Sequence, residues 1–195
     1  KYISHVKGVD LDQVDVRTLK GCALSDAVSS RGADPQRGWP GIEFGPMKPE
    51  TAKRLFGHEK AADPDSYEGK GMTVSIFAAV CTMCDTLGIC KFASEWFNNP
   101  ISMKVMGELM SAATGQEMDE KTVKDTAARV NNIERAYLVL EGIRRKDDII
   151  HGRAMDEAVP SGPHKGKRLE KEGFHRMLDD YYEVVGWDRA TGIPT

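Results

Sequence analysis

The chain has 195 residues, with 27 Lys and Arg against 30 Asp and Glu, for a formal charge of −3. That balance excludes a general nucleic-acid or anionic-membrane binder, which needs a basic excess or stripe. The longest nearly uncharged apolar run, Met72 to Cys84, is shorter than the roughly 20 residues that cross a bilayer. A chain of this length buries about 70% of its extended-chain surface, so it can build a core without disulfide or metal staples.

The first 48 residues form an irregular segment. Within it, Leu19 to Ser30 reads as a helix, with Leu19, Cys22, Ala23 and Ala27 on one face and Gly32 as a stop. From Gly32 to Pro49, four glycines and four prolines are interleaved. Trp39, Ile42 and Phe44 give this stretch apolar anchors, so it reads as an ordered loop.

Residues 49–195 read as a helical domain. Pro49 suits a first helical turn, and Glu50 to His58 follows as a short helix. Asp63-Pro64-Asp65-Ser66 signals the start of a long helix over Tyr67 to Cys84 that is apolar nearly all round, hence central and buried. Gly88 ends it. Ile101 to Thr114 is next, with Val105, Leu109 and Ala112 aligned. Asp119 caps Glu120 to Gly142, with a stripe of Val123, Ala127, Val130, Ile133, Ala136 and Leu140. Arg144 to Lys167 reads as loop, and Leu169 to Val185 as a last helix with Phe174, Met177, Leu178, Tyr181 and Val185 inward. No strand pattern exceeds four residues. The fold class is all-α and multihelical, with an irregular N-terminal region.

Four cysteines occur, three of them (Cys81, Cys84, Cys90) within ten residues. Too few for a disulfide-dense secreted scaffold, they point to a reducing, cytoplasmic setting. With Cys22 they offer a zinc or iron–sulfur set, but no second Cys-x-x-Cys pair exists, and buried thiols on an apolar helix are the plainer reading. Beyond the helix end, Asp85, the turn at Gly88 and Cys90 put a carboxylate and a thiol on one rigid support. A helix terminus followed by a core cysteine is the alternative. The five histidines have no ligand spacing. Asp147-Asp148 and Asp179-Asp180 read as solvated faces, since adjacent helix residues diverge.

Asp85-Thr86-Leu87-Gly88-Ile89-Cys90-Lys91-Phe92 resembles the Asp-x-x-Gly-Leu-Cys-x motif of the tungsten-containing aldehyde ferredoxin oxidoreductases. Ser29-Ser30-Arg31-Gly32 is similar to that family's Ser-Asn/Ser-Arg-Gly segment. Arg129-Val130-Asn131-Asn132-Ile133-Glu134-Arg135 resembles its Arg-x-x-Asn-Leu-Glu-Arg helix, and Arg145-Lys146-Asp147-Asp148 its Arg-Lys-Asp-Asp stretch. Leu178-Asp179-Asp180-Tyr181-Tyr182, Gly186-Trp187-Asp188 and Gly192-Ile193-Pro194-Thr195 are similar to its C-terminal signature. The matches fall in order over nearly the whole chain.

The resemblance implies the C-terminal helical part of a larger oxidoreductase that converts aldehydes to carboxylic acids, a fragment inactive by itself. It implies a tungsten (or molybdenum) bis-pterin of the molybdopterin type and a [4Fe–4S] cluster, both held only in the full-length protein. Asp85 would bind a pterin, the backbone at Gly88 and Ile89 would support it, Cys90 would be a cluster ligand, and Lys91 would lie near the cluster–pterin contact. Implied partners are ferredoxin or another redox protein, the remaining domains and a second copy of the chain, with no nucleic acid and no membrane. Lys1 at one end and Thr195 at the other fit a piece of a longer polypeptide. The family's Cys-x-x-Cys-x-x-x-Cys run is not in this sequence. Ala33-Asp34-Pro35 stands where a His is frequent, and Leu138-Val139-Leu140-Glu141-Gly142 replaces Asn-x-Arg-Glu-Gly. The substrate therefore stays open: a reaction such as benzoyl-CoA-type ring reduction, or a cofactor-free helical binding module, are the alternatives.

Overall fold

The computed structural model describes residues 3–12 and 14–195; Lys1 lies outside them. The chain is helical, as its patterning requires. Strands β1 (His5–Val6) and β2 (Val9–Asp10) form a two-stranded hairpin. Among the described residues seven α-helices follow: α1 (Lys20–Val28), α2 (Pro49–Phe56), α3 (Lys70–Leu87), α4 (Met103–Thr114), α5 (Glu120–Leu140), α6 (Arg153–Asp156) and α7 (Lys171–Val185). Short 3-10 turns at Pro35–Arg37, Gly41–Phe44, Lys91–Ala93, Glu95–Phe97 and Arg145–Asp147 interrupt the connections. Among the described residues no helix is long and apolar enough to cross a membrane.

Helix α3 is the axis. It packs against α1, α4, α5 and α7. Two apolar clusters flank it. Val74 joins Leu24, Ala27, Ile150, Phe174, Met177, Leu178 and Tyr182 on one side. Phe77, Val80, Cys81, Met83 and Cys84 join Trp39, Phe56, Trp96, Met106 and Val123 on the other. Fully burying one such Leu, Phe or Met stabilises by about 1.5–3 kcal/mol. Helix α1 is buried at every one of its residues rather than along one face.

Helix α3 begins and ends three residues later than the sequence suggests, at Lys70 and Leu87, so Asp85 lies in its last turn and not beyond its end. The residues before it are spent on turns: Asp63 Oδ1 accepts from the Asp65 amide at 2.9 Å, and Ser66 Oγ from that of Glu68 at 3.1 Å. Lys70, fully buried, gathers the carbonyls of Ala61 and Asp63 at 2.8 and 2.7 Å. Its ammonium also pairs with the equally buried Glu43. The Glu43 carboxylate in turn accepts from the amides of Gly21 (2.9 Å) and Cys22 (3.3 Å) in the first turn of α1. An acid at a helix start meets unsatisfied donors and the positive end of the dipole, so one carboxylate ties both helix starts.

The α5 stripe holds for only half its length. Val123 and Ala127 are buried, but Ile133 is 69% and Leu140 84% exposed. The deeply buried residue of the second half is Arg135, 1% exposed. Its guanidinium grips Asp148 with two hydrogen bonds, at 3.0 and 2.7 Å, and donates to the Gly192 carbonyl at 2.8 Å. It lies 4.6 Å from the Trp187 ring centroid. Asp148 also takes Lys7 Nζ at 2.8 Å and the Tyr182 hydroxyl. Asp148 is therefore not on a solvated face: it is fully buried, and cationic partners repay its desolvation. Helix α4 likewise turns Met103, Met106 and Gly107 inward, with Leu109 51% exposed. Phe44 does not anchor its loop. It is 55% exposed, while Trp39 and Ile42 are buried.

Candidate functional site

The last turn of α3 and the bend after it carry the site. Gly88 ends the helix in the left-handed region, at φ +68°, and the Ile89 amide closes back on the Cys84 carbonyl at 2.9 Å. A Cβ on Gly88 would meet nothing within 4 Å. The backbone angle, not crowding, demands glycine here, and the turn is open to solvent. Ile89 is half-buried against the core, and Cys90 follows it into solvent.

Asp85 is clasped from two sides. Arg37 Nη1 reaches Oδ2 at 2.9 Å, and Lys91 Nζ reaches Oδ1 at 2.7 Å. Both cationic side chains are nearly buried, at 8% and 7% exposure, whereas Asp85 is 44% exposed. Arg37 Nη2 continues to Glu134 on α5, and Ser30 Oγ donates to the same Glu134 oxygen at 2.8 Å. Thr82 Oγ1 donates to Asn131 Oδ1 at 2.6 Å and fastens α3 to α5 beside this chain of charges.

The 3-10 turn Pro35–Arg37 positions Arg37. Asp34 caps it by accepting from the Gln36 amide at 2.9 Å. Gly38 then lies against α3 at φ +140°, and a Cβ there would come within 2.9 Å of the Ala78 backbone. Only glycine allows the turn so close to the helix. Past Cys90, Phe92, Trp96 and Phe97 cluster, with Phe92 and Phe97 exposed and their ring centroids 4.8 Å apart. The Trp96 indole donates to the Trp39 carbonyl at 2.7 Å and anchors that cluster to the N-terminal segment.

The four thiols divide sharply. Cys22, Cys81 and Cys84 are buried, and Cys90 is exposed. Burial pushes the Cys81 thiol up to about 12 and raises those of Cys22 and Cys84. Among the described residues no group of three or more His, Cys, Asp or Glu is arranged to hold a metal ion. A four-cysteine zinc site is therefore not formed within them. A groove of about 530 Å³ runs beside α3, lined by Ile76, Ala79, Asn131, Tyr181 and Val184 among others. Asn131 also lines the small cleft at Arg37 and Glu134.

The structure brings together Asp85, Gly88, Ile89, Cys90 and Lys91, as one bend must. It adds Ser30 and Glu134, which lie in two other segments of the resemblance, and Arg37, which lies in none. The remaining segments meet elsewhere. Arg135, Asp148, Tyr182, Trp187 and Gly192 form the buried tie described above, and Trp187 Nε1 donates to Asn132 Oδ1 at 2.7 Å.

The donor set fits a pterin and one corner of a cluster. Each carboxylate oxygen offers two acceptor positions. With one cation on each, Asp85 retains capacity for ring N–H groups. Cys90 is the one thiol among the described residues that an external iron could reach.

The sequence matches the family model "Aldehyde ferredoxin oxidoreductase, domains 2 & 3" over residues 1–195. It is 26% identical over 191 residues to the tungsten-containing aldehyde ferredoxin oxidoreductase of Pyrococcus furiosus, covering 97% of this chain and 29% of that protein. It is 28% identical over 202 residues to the WOR-like subunit of an aliphatic sulfonate oxidoreductase from the same organism, covering 100% of this chain and 27% of that protein. In structure it is similar to the active site complex BamBC of benzoyl coenzyme A reductase in complex with 1,5-dienoyl-CoA. The TM-score is 0.58 and the identity 19%, over 95% of this chain and 29% of that one. The chain thus spans less than a third of the relatives it matches.

Proposed function

Since the chain belongs to the aldehyde ferredoxin oxidoreductase family, matched over its whole length, we propose that it forms one wall of a tungsten–bispterin redox centre completed by the rest of a longer protein. The carrying observation is the last turn of α3 with the bend after it. It presents the Asp85 carboxylate and the Cys90 thiol together at the surface, while the three other thiols are sealed in the core.

In this reading Asp85 accepts hydrogen bonds from pterin N–H groups. The open backbone at Gly88 and Ile89 would support the same pterin, and Cys90 would be one ligand of a [4Fe–4S] cluster whose other ligands come from elsewhere. Lys91, tied to Asp85 at 2.7 Å, would add a positive charge near the cofactors, which raises the affinity for an electron. When bound, the tungsten centre supplies two-electron chemistry and the cluster passes electrons singly. The overall reaction proposed is aldehyde plus water to carboxylic acid, two protons and two electrons, with ferredoxin or another redox protein as acceptor in a cytoplasmic setting. A homodimer of the whole protein is compatible with this.

The test uses the whole polypeptide. Cys90→Ser is expected to lower iron per chain, and Asp85→Asn to lower pterin per chain. Unchanged iron and pterin in these variants would favour a cofactor-free helical module. The fold likeness to a ring-reducing enzyme supports a second reading in which the same wall serves reduction of an aromatic thioester. A substrate screen of the loaded protein separates the two. The 195-residue chain by itself is expected to oxidise no aldehyde with a dye acceptor.

A further inference from the structure

Arg37 stands outside every segment that carries the family resemblance, yet it is the hub of the site. We propose that Arg37 is a positioning residue for Asp85: it holds the carboxylate in one orientation toward the pterin and couples that orientation to α5 through Glu134. This rests on the reading of Asp85 given above.

The geometry is that of a clamp. Arg37 takes Asp85 Oδ2 and Lys91 takes Oδ1, at 2.9 and 2.7 Å. With a cation on each oxygen, the carboxylate plane cannot rotate without breaking a pair. An exposed ion pair would do little of this, because solvent and side-chain freedom compete. Here the guanidinium is nearly buried and the carboxylate is not, at 8% against 44% exposure. The protein therefore sets the position of the cation, and the cation sets that of the acid.

Arg37 is itself fixed at both ends. Its backbone lies in a turn pressed on α3, where Gly38 permits contact with Ala78. Its second nitrogen meets Glu134, which Ser30 holds at 2.8 Å. A planar fork with several donors can serve two acids at once, whereas an ammonium is a point charge. A displacement of α5 would therefore be felt at Asp85.

The experiment compares Arg37→Met, Arg37→Lys, Glu134→Gln and Asp85→Asn in the whole protein. Two quantities are read: pterin per chain, by fluorescence after oxidative release, and the melting temperature of protein prepared without tungsten. By analogy with outer-shell partners of metal ligands, Arg37→Met should lower pterin retention on the order of tenfold. Arg37→Lys should fall between it and wild type. Glu134→Gln should lose less than Arg37→Met, and adding Arg37→Met to Asp85→Asn should cause no further loss. Wild-type pterin in Arg37→Met, with loss in Asp85→Asn, overturns the inference and leaves the reading of Asp85 intact. So does a loss in Arg37→Met that Glu134→Gln reproduces in full and that follows the fall in melting temperature, for Arg37 is then a brace of the fold. Full pterin in Asp85→Asn overturns both.

Discussion

Replacing Arg135 by Met removes the centre of the buried tie at nearly constant length. The variant loses both hydrogen bonds to Asp148, the bond to the Gly192 carbonyl and the contact with the Trp187 face. Breaking a buried ion pair by deleting one partner costs about 3–5 kcal/mol. Lys7 at 2.8 Å and the Tyr182 hydroxyl remain on Asp148, so the lower end, about 3 kcal/mol, is expected. Native-state hydrogen exchange reads this locally. The C-terminal hook is held by the amides of Trp187, Asp188, Gly192 and Thr195, which donate at 2.8, 2.8, 2.7 and 3.0 Å. Each should exchange about 100-fold faster in the variant, at tenfold per 1.4 kcal/mol, while amides in the middle of α3 change little. Acceleration below about threefold at all four would refute the view that Arg135 holds this end of the chain to α5.

In cofactor-free native protein, iodoacetamide should add to Cys90 and leave Cys22, Cys81 and Cys84 untouched; an adduct on any of those three, mapped by peptide mass spectrometry, would contradict the burial pattern. Asp26 is 1% exposed, accepts from the Trp39 indole at 2.6 Å, and burial pushes its carboxyl up to about 7. Its Oδ2 finds no partner among the described residues. A carboxyl raised from 3.8 to about 7 binds more protons when folded than when unfolded. Its contribution to stability is therefore complete below the lower value and is lost as pH rises through the higher one. Urea midpoints of wild type should fall relative to Asp26→Asn between about pH 4 and 7 and run parallel above it; parallel curves throughout would reject the assignment.

The helices were legible wherever the local code and the tertiary fold agree. The inward face of α7 is an ordinary apolar stripe: Phe174, Met177, Leu178 and Tyr181 are buried, and Val185 packs half-buried against the same core. Asp119 before α5 and Gly186 after α7 are caps that any sequence reading finds. Misreadings came where a long polar side chain does the packing. The second half of α5 carries an apolar stripe, but the structure turns Arg135 inward, and no periodicity distinguishes a buried arginine from an exposed one. Asp148 was missed for the same reason, since its partners lie in the hairpin, α5 and α7. The start of α3 slipped because Lys70 draws the preceding chain into turns around its ammonium. The candidate site was legible along the bend from Asp85 to Lys91, where its members are neighbours in sequence. Arg37 was not, because it reaches Asp85 across 48 positions of chain.

The Glu43–Lys70 pair binds three separate parts of the chain into one cooperative unit. Glu43 sits in the irregular N-terminal segment and Lys70 at the head of the central helix, and both end without contact with water. Neither ion can be dehydrated before the other arrives without a penalty of several kcal/mol. The Gly41–Phe44 turn, the first turn of α1 and the head of α3 are therefore coupled energetically. Removing one partner strands the other as a buried, unpaired charge, and all three loosen together.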